Sequence, residues 1–134
     1  MNIFVLDSNV KACAEYHVDK HVVKMVLETT QLLNNACALN DPQYNPVYKV
    51  THKNHPCSLW ASSSLQNFKW LSELGLALCE EYTYRYGKVH KCQSIIESLK
   101  DSSSTQLMRN VGLTAFEKCM PDHYKADDPI ESYR

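Results

Sequence analysis

A chain of 134 residues, 44% hydrophobic and 22% charged, is long enough for one domain with a real core and too short for two. Three glycines and five prolines favour helices over a sheet of short strands, so the expected fold is mainly α: a single compact helical domain over residues 1–134 with a short N-terminal extended arm. Fourteen basic against fifteen acidic residues leave a net charge of −1, which argues against a broad duplex-DNA footprint and leaves room for a local basic patch or a small nucleotide.

No apolar run approaches the ~20 residues of a membrane span, and residues 2–6 are too short for a signal-peptide core. The chain is therefore expected in the cytoplasm, with no membrane partner. Cys13, Cys37, Cys57, Cys79, Cys92 and Cys119 form no CxxC pair. Without a secretion signal they read as reduced, buried thiols.

In chain order, residues 2–6 (NIFVL) read as the extended arm, and Asp7, Ser8 and Asn9 offer helix N-caps. A first long helix is expected over residues 10–35, closed by Asn34, Asn35, Asn40, Asp41 and Pro42. Its centre, residues 16–31 (YHVDKHVVKMVLETTQ), carries the most informative pattern of the chain. At about 100° per residue, His17, His21, Lys24, Glu28 and Gln31 share a stripe roughly 80° wide. Val18, Val22, Val23, Met25, Val26, Leu27, Leu32 and Leu33 spread over most of the remaining circumference. Such a helix belongs in the middle of a domain, and its ionisable strip then needs a wet cleft, because buried charge is costly. The other reading lays the helix on the surface with the strip in open solvent. Dry Val22, Val26 and Leu33 would decide for the central position.

Residues 42–56 read as a loop, with Asn45-Pro46 and His55-Pro56 as breakers and a short strand over 47–51. A second long helix is expected over 57–86, ending at Gly87. A third follows over 89–100, with a flexible loop at 101–105. Asp128-Pro129-Ile130-Glu131 resembles the start of one more helix.

Three groups carry potential chemistry. On the strip, Glu28 is a candidate general acid or base and Lys24 a candidate nucleophile. His17 and His21 have the i, i+4 spacing of a metal pair, yet Val18 stands where a zinc protease places glutamate, and no third ligand is evident. No metal or cofactor is expected. The THKNHP loop (51–56) suits an anion at a helix N-terminus, or simply starts the helix. In EYTYRYGKVH (81–90), cations interleave with tyrosines, as in sites that hold bases and phosphates. The alternative is an ordinary helix end with core-margin tyrosines.

YHVDKHVVKM (16–25), NHP (54–56), EYTYRYGKVH (81–90) and MPDHYKADDPIESYR (120–134) together resemble pyrimidine-dimer DNA glycosylases of the phage endonuclease V type, and more specifically their phage-encoded relatives. The resemblance implies a compact all-helical fold, an N-terminal α-amine that attacks the sugar C1′ to form an imine, and a glutamate on the first long helix. Alignment through Asp19-Lys20-His21 places Glu28 on that glutamate. The family exposes a threonine after methionine removal, whereas Met1 here precedes Asn2. The nucleophile would then be the Met1 amine, Lys20 or Lys24.

The expectation is thus a phage protein of the host cytoplasm acting on nucleic acid or nucleotides. Glu28, His21 and Lys24 would be catalytic, and His17, Lys20, Gln31, His55, Tyr82, Arg85, Lys88 and His90 would bind substrate. The alternative is a sponge or hydrolase for a small nucleotide, cyclic ones included, that serves the host as an immune signal. A non-catalytic partner-binding protein would instead show a wide apolar patch. Whether the protein is a homo-oligomer stays open.

Overall fold

The computed structural model describes Ile3 and residues 9–114. Among these, five α-helices and one 3-10 turn account for the regular structure: α1 Val10–Glu15, α2 Asp19–Asn40, α3 Pro56–Ser63, α4 Leu65–Tyr86, α5 Gln93–Lys100 and the turn Ser103–Leu107. The protein is mainly α, as its composition implies. None of the described helices is long and apolar enough to cross a membrane. The arm lies outside the described residues except for Ile3, which is buried in the core. The 128–131 motif and Cys119 also lie outside them.

Local chemistry sets the helix ends. Asn9 opens α1, its Oδ1 accepting the Ala12 N–H at 3.1 Å. His55 caps α3 and Pro56 occupies its first turn. Ser64 caps α4 by accepting the Asn67 N–H at 2.9 Å. Gly87 closes α4 at φ 71°, a left-handed conformation open to glycine without strain.

Several expectations fail here: the third helix starts only at Gln93, and part of the expected 101–105 loop belongs to the 3-10 turn Ser103–Leu107. The first long helix breaks after Glu15, so residues 16–31 are not one helix and His17 leaves the stripe of His21, Lys24, Glu28 and Gln31. Asn34 and Asn35 do not end α2, which runs on to Asn40. The second long helix is two, parted at Ser64. Residues 47–51 form no strand; their backbone instead bonds to side chains of α2.

Helix α2 is central. Val22, Val26, Leu32 and Leu33 are each 0% exposed, and the helix packs on α3, α4 and α5. Trp60, Phe68, Leu71, Leu74 and Leu78 face it from α3 and α4, and Ile96 from α5. Each large apolar side chain so covered contributes about 1.5–3 kcal/mol. The closest approach is at Gly75, where a Cβ would lie 3.0 Å from Thr29 Cγ2 and 3.1 Å from Ile96 Cδ1.

Buried amides tie the irregular segments to this core. Asn34 Nδ2 donates to the Tyr48 carbonyl (3.0 Å), while its Oδ1 accepts from the Tyr44 hydroxyl (2.7 Å) and the Val47 N–H (3.0 Å). Asn35 Nδ2 donates to the Thr51 carbonyl and to Ser58 Oγ. Residues 109–114 run as a strap along the start of α4: Leu65 N–H bonds the Arg109 carbonyl, Gln66 bonds Asn110 and Gly112, and Asn67 bonds Thr114. Cys13, Cys37, Cys57, Cys79 and Cys92 are buried. Burial pushes the Cys37 thiol up to about 11 and Cys79 to about 12, which keeps both protonated and unreactive.

Candidate active site

The exposed side of α2 presents what remains of the strip. Lys20 and Lys24 are exposed, and His21, Glu28 and Gln31 are half-buried. The two positions share a cause: they lie opposite Val22, Met25, Val26 and Thr29, which face the core. Partial burial pulls the His21 pKa below its ordinary value, the charges of Lys20 and Lys24 add to the effect, and Glu28 opposes it. His21 is therefore a neutral imidazole near pH 7, able to accept a proton, beside a carboxylate and an ammonium.

The segment 81–90 docks on the first turns of α2, so two of the three groups singled out in the sequence meet. Arg85 is the joint. Its Nε donates to Glu81 Oε1 (2.8 Å), Nη1 to the His17 carbonyl (2.8 Å) and to Asp19 Oδ1 (3.0 Å), and Nη2 to the Glu15 carbonyl (3.1 Å). Glu15 ends α1 and His17 precedes the Val18 N-cap of α2. The planar guanidinium fork thus satisfies carbonyls exposed by the break between the two helices. The i, i+4 spacing of Glu81 and Arg85 is a signal of that pair in the sequence, whereas Asp19 carries none.

His90 and Tyr82 also hold the structure. His90 Nδ1 accepts the Cys92 N–H at 3.0 Å, and the ring bonds the Val23 backbone. Tyr82 packs edge-on against His90, with centroids 4.8 Å apart, and against Tyr86 at 5.1 Å. Lys88 is exposed beside them.

The two other candidate histidines, His17 and His55, sit elsewhere. His17 is 3% exposed, with Nδ1 2.7 Å from the Cys13 carbonyl, and burial foremost lowers its pKa. Because α1 and α2 are separate helices, His17 and His21 lose the i, i+4 geometry of a metal pair. Among the described residues no three His, Cys, Asp or Glu side chains gather as a metal set. His55 is placed by α3, its Nδ1 accepting the Cys57 N–H at 3.1 Å. Burial and the nearby His52 lower its pKa.

A hollow of about 440 Å³ opens between α1 and α4, lined by Lys11, Glu15, Ala77, Glu80, Glu81 and Tyr84. None of the residues proposed from the sequence lines it. Its acidic walls suit neither a phosphate nor a sugar-phosphate chain.

A family model described as pyrimidine dimer DNA glycosylase matches residues 1–94, a span that holds Glu28, Arg85 and His90. No curated protein and no solved structure matches the chain.

Proposed function

The chain belongs to the pyrimidine dimer DNA glycosylase family, and from that premise we propose that it removes damaged pyrimidines from DNA through a covalent imine. An amine attacks C1′ of the damaged nucleotide, the glycosidic bond breaks, and its electron pair leaves with the base, which takes up a proton. Opening of the sugar ring then gives an iminium at C1′. Glu28 stabilises the positive charge that develops at the sugar and afterwards takes a proton from C2′, so that the 3′ phosphate leaves. Lys24, Lys20 and the Met1 amine are the candidate nucleophiles, and the neutral His21 imidazole relays the proton of the attacking amine. Gln31 orients the sugar. Arg85, His90 and Tyr82 hold the frame in which these groups stand, and His17 anchors the break between α1 and α2.

One observation supports this reading above the others. Glu28 is the half-buried carboxylate on the wet side of an otherwise dry central helix, inside the span that the family model matches. The family match lends no support to the small-nucleotide alternative.

The test is borohydride reduction of the protein mixed with an oligonucleotide that carries an abasic site, alongside an incision assay on a duplex with a pyrimidine dimer. The wild-type chain should give a covalent adduct and a nick, and Glu28→Gln should give neither at a comparable rate. Absence of both products from the wild-type protein would overturn the proposal.

A further inference from the structure

The turn that follows α4 leaves apolar and aromatic side chains at the surface. Tyr86 is 43% exposed and Val89 66%, and Val23, on the adjoining turn of α2, is 40% exposed. They adjoin one another. Tyr86 Oη reaches the Asp19 carbonyl at 3.5 Å, and His90 bonds the Val23 backbone. Tyr16 and Val18, each 55% exposed, extend the apolar area across the break that Arg85 bridges. Lys20 and Lys24, one helical turn apart on α2, and Lys88 and Lys91, flanking Val89 and His90, are all exposed around it.

The charge on this face is weighted toward cations. Asp19 and Glu81 share the Arg85 guanidinium at 3.0 and 2.8 Å, and Glu28 lies one turn from Lys24 on α2. Lys20, Lys24, Lys88 and Lys91 are exposed here, and among the described residues none of them is in an ion pair, on a molecule whose net charge is −1. Compensating acids are placed elsewhere, Glu15 and Glu80 among them, in the hollow between α1 and α4. A near-neutral chain has thus sorted its charge so that one edge is basic.

Apolar and aromatic side chains rimmed by lysines match the chemistry of a sugar-phosphate chain, where phosphates meet ammonium groups and sugars and bases meet rings and methyls. We propose that this edge seats the DNA backbone: Lys88 and Lys91 contact phosphates, Lys20 and Lys24 carry the positive field on toward Glu28, and Tyr86 and Val89 pack against sugars and exposed base edges. The proposal rests on the reading of the protein as an enzyme acting on DNA, and adds to it the surface on which the DNA lies. Because Lys24 and Glu28 are one turn apart on α2, a strand held here runs toward Glu28. The near-neutral total charge and a DNA substrate are then compatible, since affinity follows the local field rather than the sum.

Fluorescence anisotropy with an undamaged 20-base-pair duplex at several salt concentrations tests it. The full-length wild type is compared with Lys88→Gln/Lys91→Gln and with Lys69→Gln. Lys69 is an exposed lysine on α4, sixteen residues before Arg85 and so about 24 Å away along the helix. At about 0.9 per phosphate contact, the double variant should show a salt slope shallower by about 1.8. Its affinity near 0.1 M salt should fall about tenfold, and Lys69→Gln should match the wild type. Equal slopes for double variant and wild type would overturn the proposal. So would an equal loss in Lys69→Gln, which would trace the effect to total charge, and so would a wild type that fails to bind the duplex. Borohydride trapping on a single-stranded abasic oligonucleotide keeps the two readings apart. A wild type that binds duplex with the expected salt slope but never traps retires the chemistry alone and leaves the surface standing.

Discussion

Over residues 29–37, α2 is covered nearly all round, and its polar side chains there have partners within the protein. Thr30 Oγ1 donates to the Val26 carbonyl, and Asn34 and Asn35 bond the backbone of the loop from Val47 to Thr51. Over residues 19–28 the same helix keeps one side dry and leaves Lys20, His21, Lys24 and Glu28 at or near water. The difference follows from charge. A buried amide that makes its hydrogen bonds costs little net free energy, whereas a buried ion costs far more than one partner returns. The helix can therefore use polar groups as ties where it is deep, and must keep its reactive groups where it emerges.

The largest expected effect that tests this contrast is at Glu28. Glu28→Gln keeps the shape and removes the charge, so adduct formation should fall roughly 10²–10⁴-fold, with stability changed by less than about 0.5 kcal/mol. A variant that melts early yet still forms the adduct would reverse the roles of the two halves. Next comes Asn34→Leu, which strands the Tyr44 hydroxyl, the Val47 N–H and the Tyr48 carbonyl. Urea unfolding should show a loss of about 3 kcal/mol, and limited proteolysis should cut within residues 41–55, while trapping per folded molecule stays the same.

Gly75→Val sharpens the contrast on the deep side, because its Cβ branches would meet Thr29 and Ile96. It should destabilise by about 2 kcal/mol. Gly75→Ala should come out near neutral, since a gain of about 1 kcal/mol in helix propensity offsets the crowding.

The smallest effect is the pH response of the histidines. His17, His21, His55 and His90 all have lowered pKa values, burial being the first cause in each. Unfolded imidazoles titrate near 6.5. Between that value and the lower folded ones the unfolded chain binds more protons, so stability falls as the pH drops through this window and is level above it. The melting temperature should decline from pH 7 to pH 5, and His17→Gln should flatten the decline more than His21→Gln, because His17 is the more deeply buried of the two.

The helical class and the central, dry core of α2 were legible because scarce glycine and proline and the positions of Val22, Val26 and Leu33 carry them directly. The break at residues 16–18 was not, since YHV holds no breaker; the carbonyls it exposes are met by Arg85, far along the chain. Asn34 and Asn35 misled for a related reason. Asparagine favours helix ends by bonding nearby backbone, but here a distant loop supplies the partners and the helix continues. The division at Ser64 carries a local signal, a serine capping the N–H three residues on within a run of serines, but the apolar periodicity spans it and masks the break. In the site, the face of His21, Lys24 and Glu28 follows from helical spacing alone. That Arg85 and His90 spend their donors and acceptors on the backbone of α1, α2 and the turn after α4 depends on tertiary placement, which spacing does not encode.

Arg85 also says something about the order in which this protein assembles. The guanidinium joins backbone carbonyls 68 and 70 positions upstream and the Asp19 side chain 66 upstream, contacts of high sequence separation whose closure entropy must be met before they reward the chain. During synthesis the angle between α1 and α2 therefore has no fastener until the end of α4 has emerged. In refolding, amide protons around residues 15–19 should gain protection after those of Val26 and Leu33, making the elbow a late event in a chain whose core forms early.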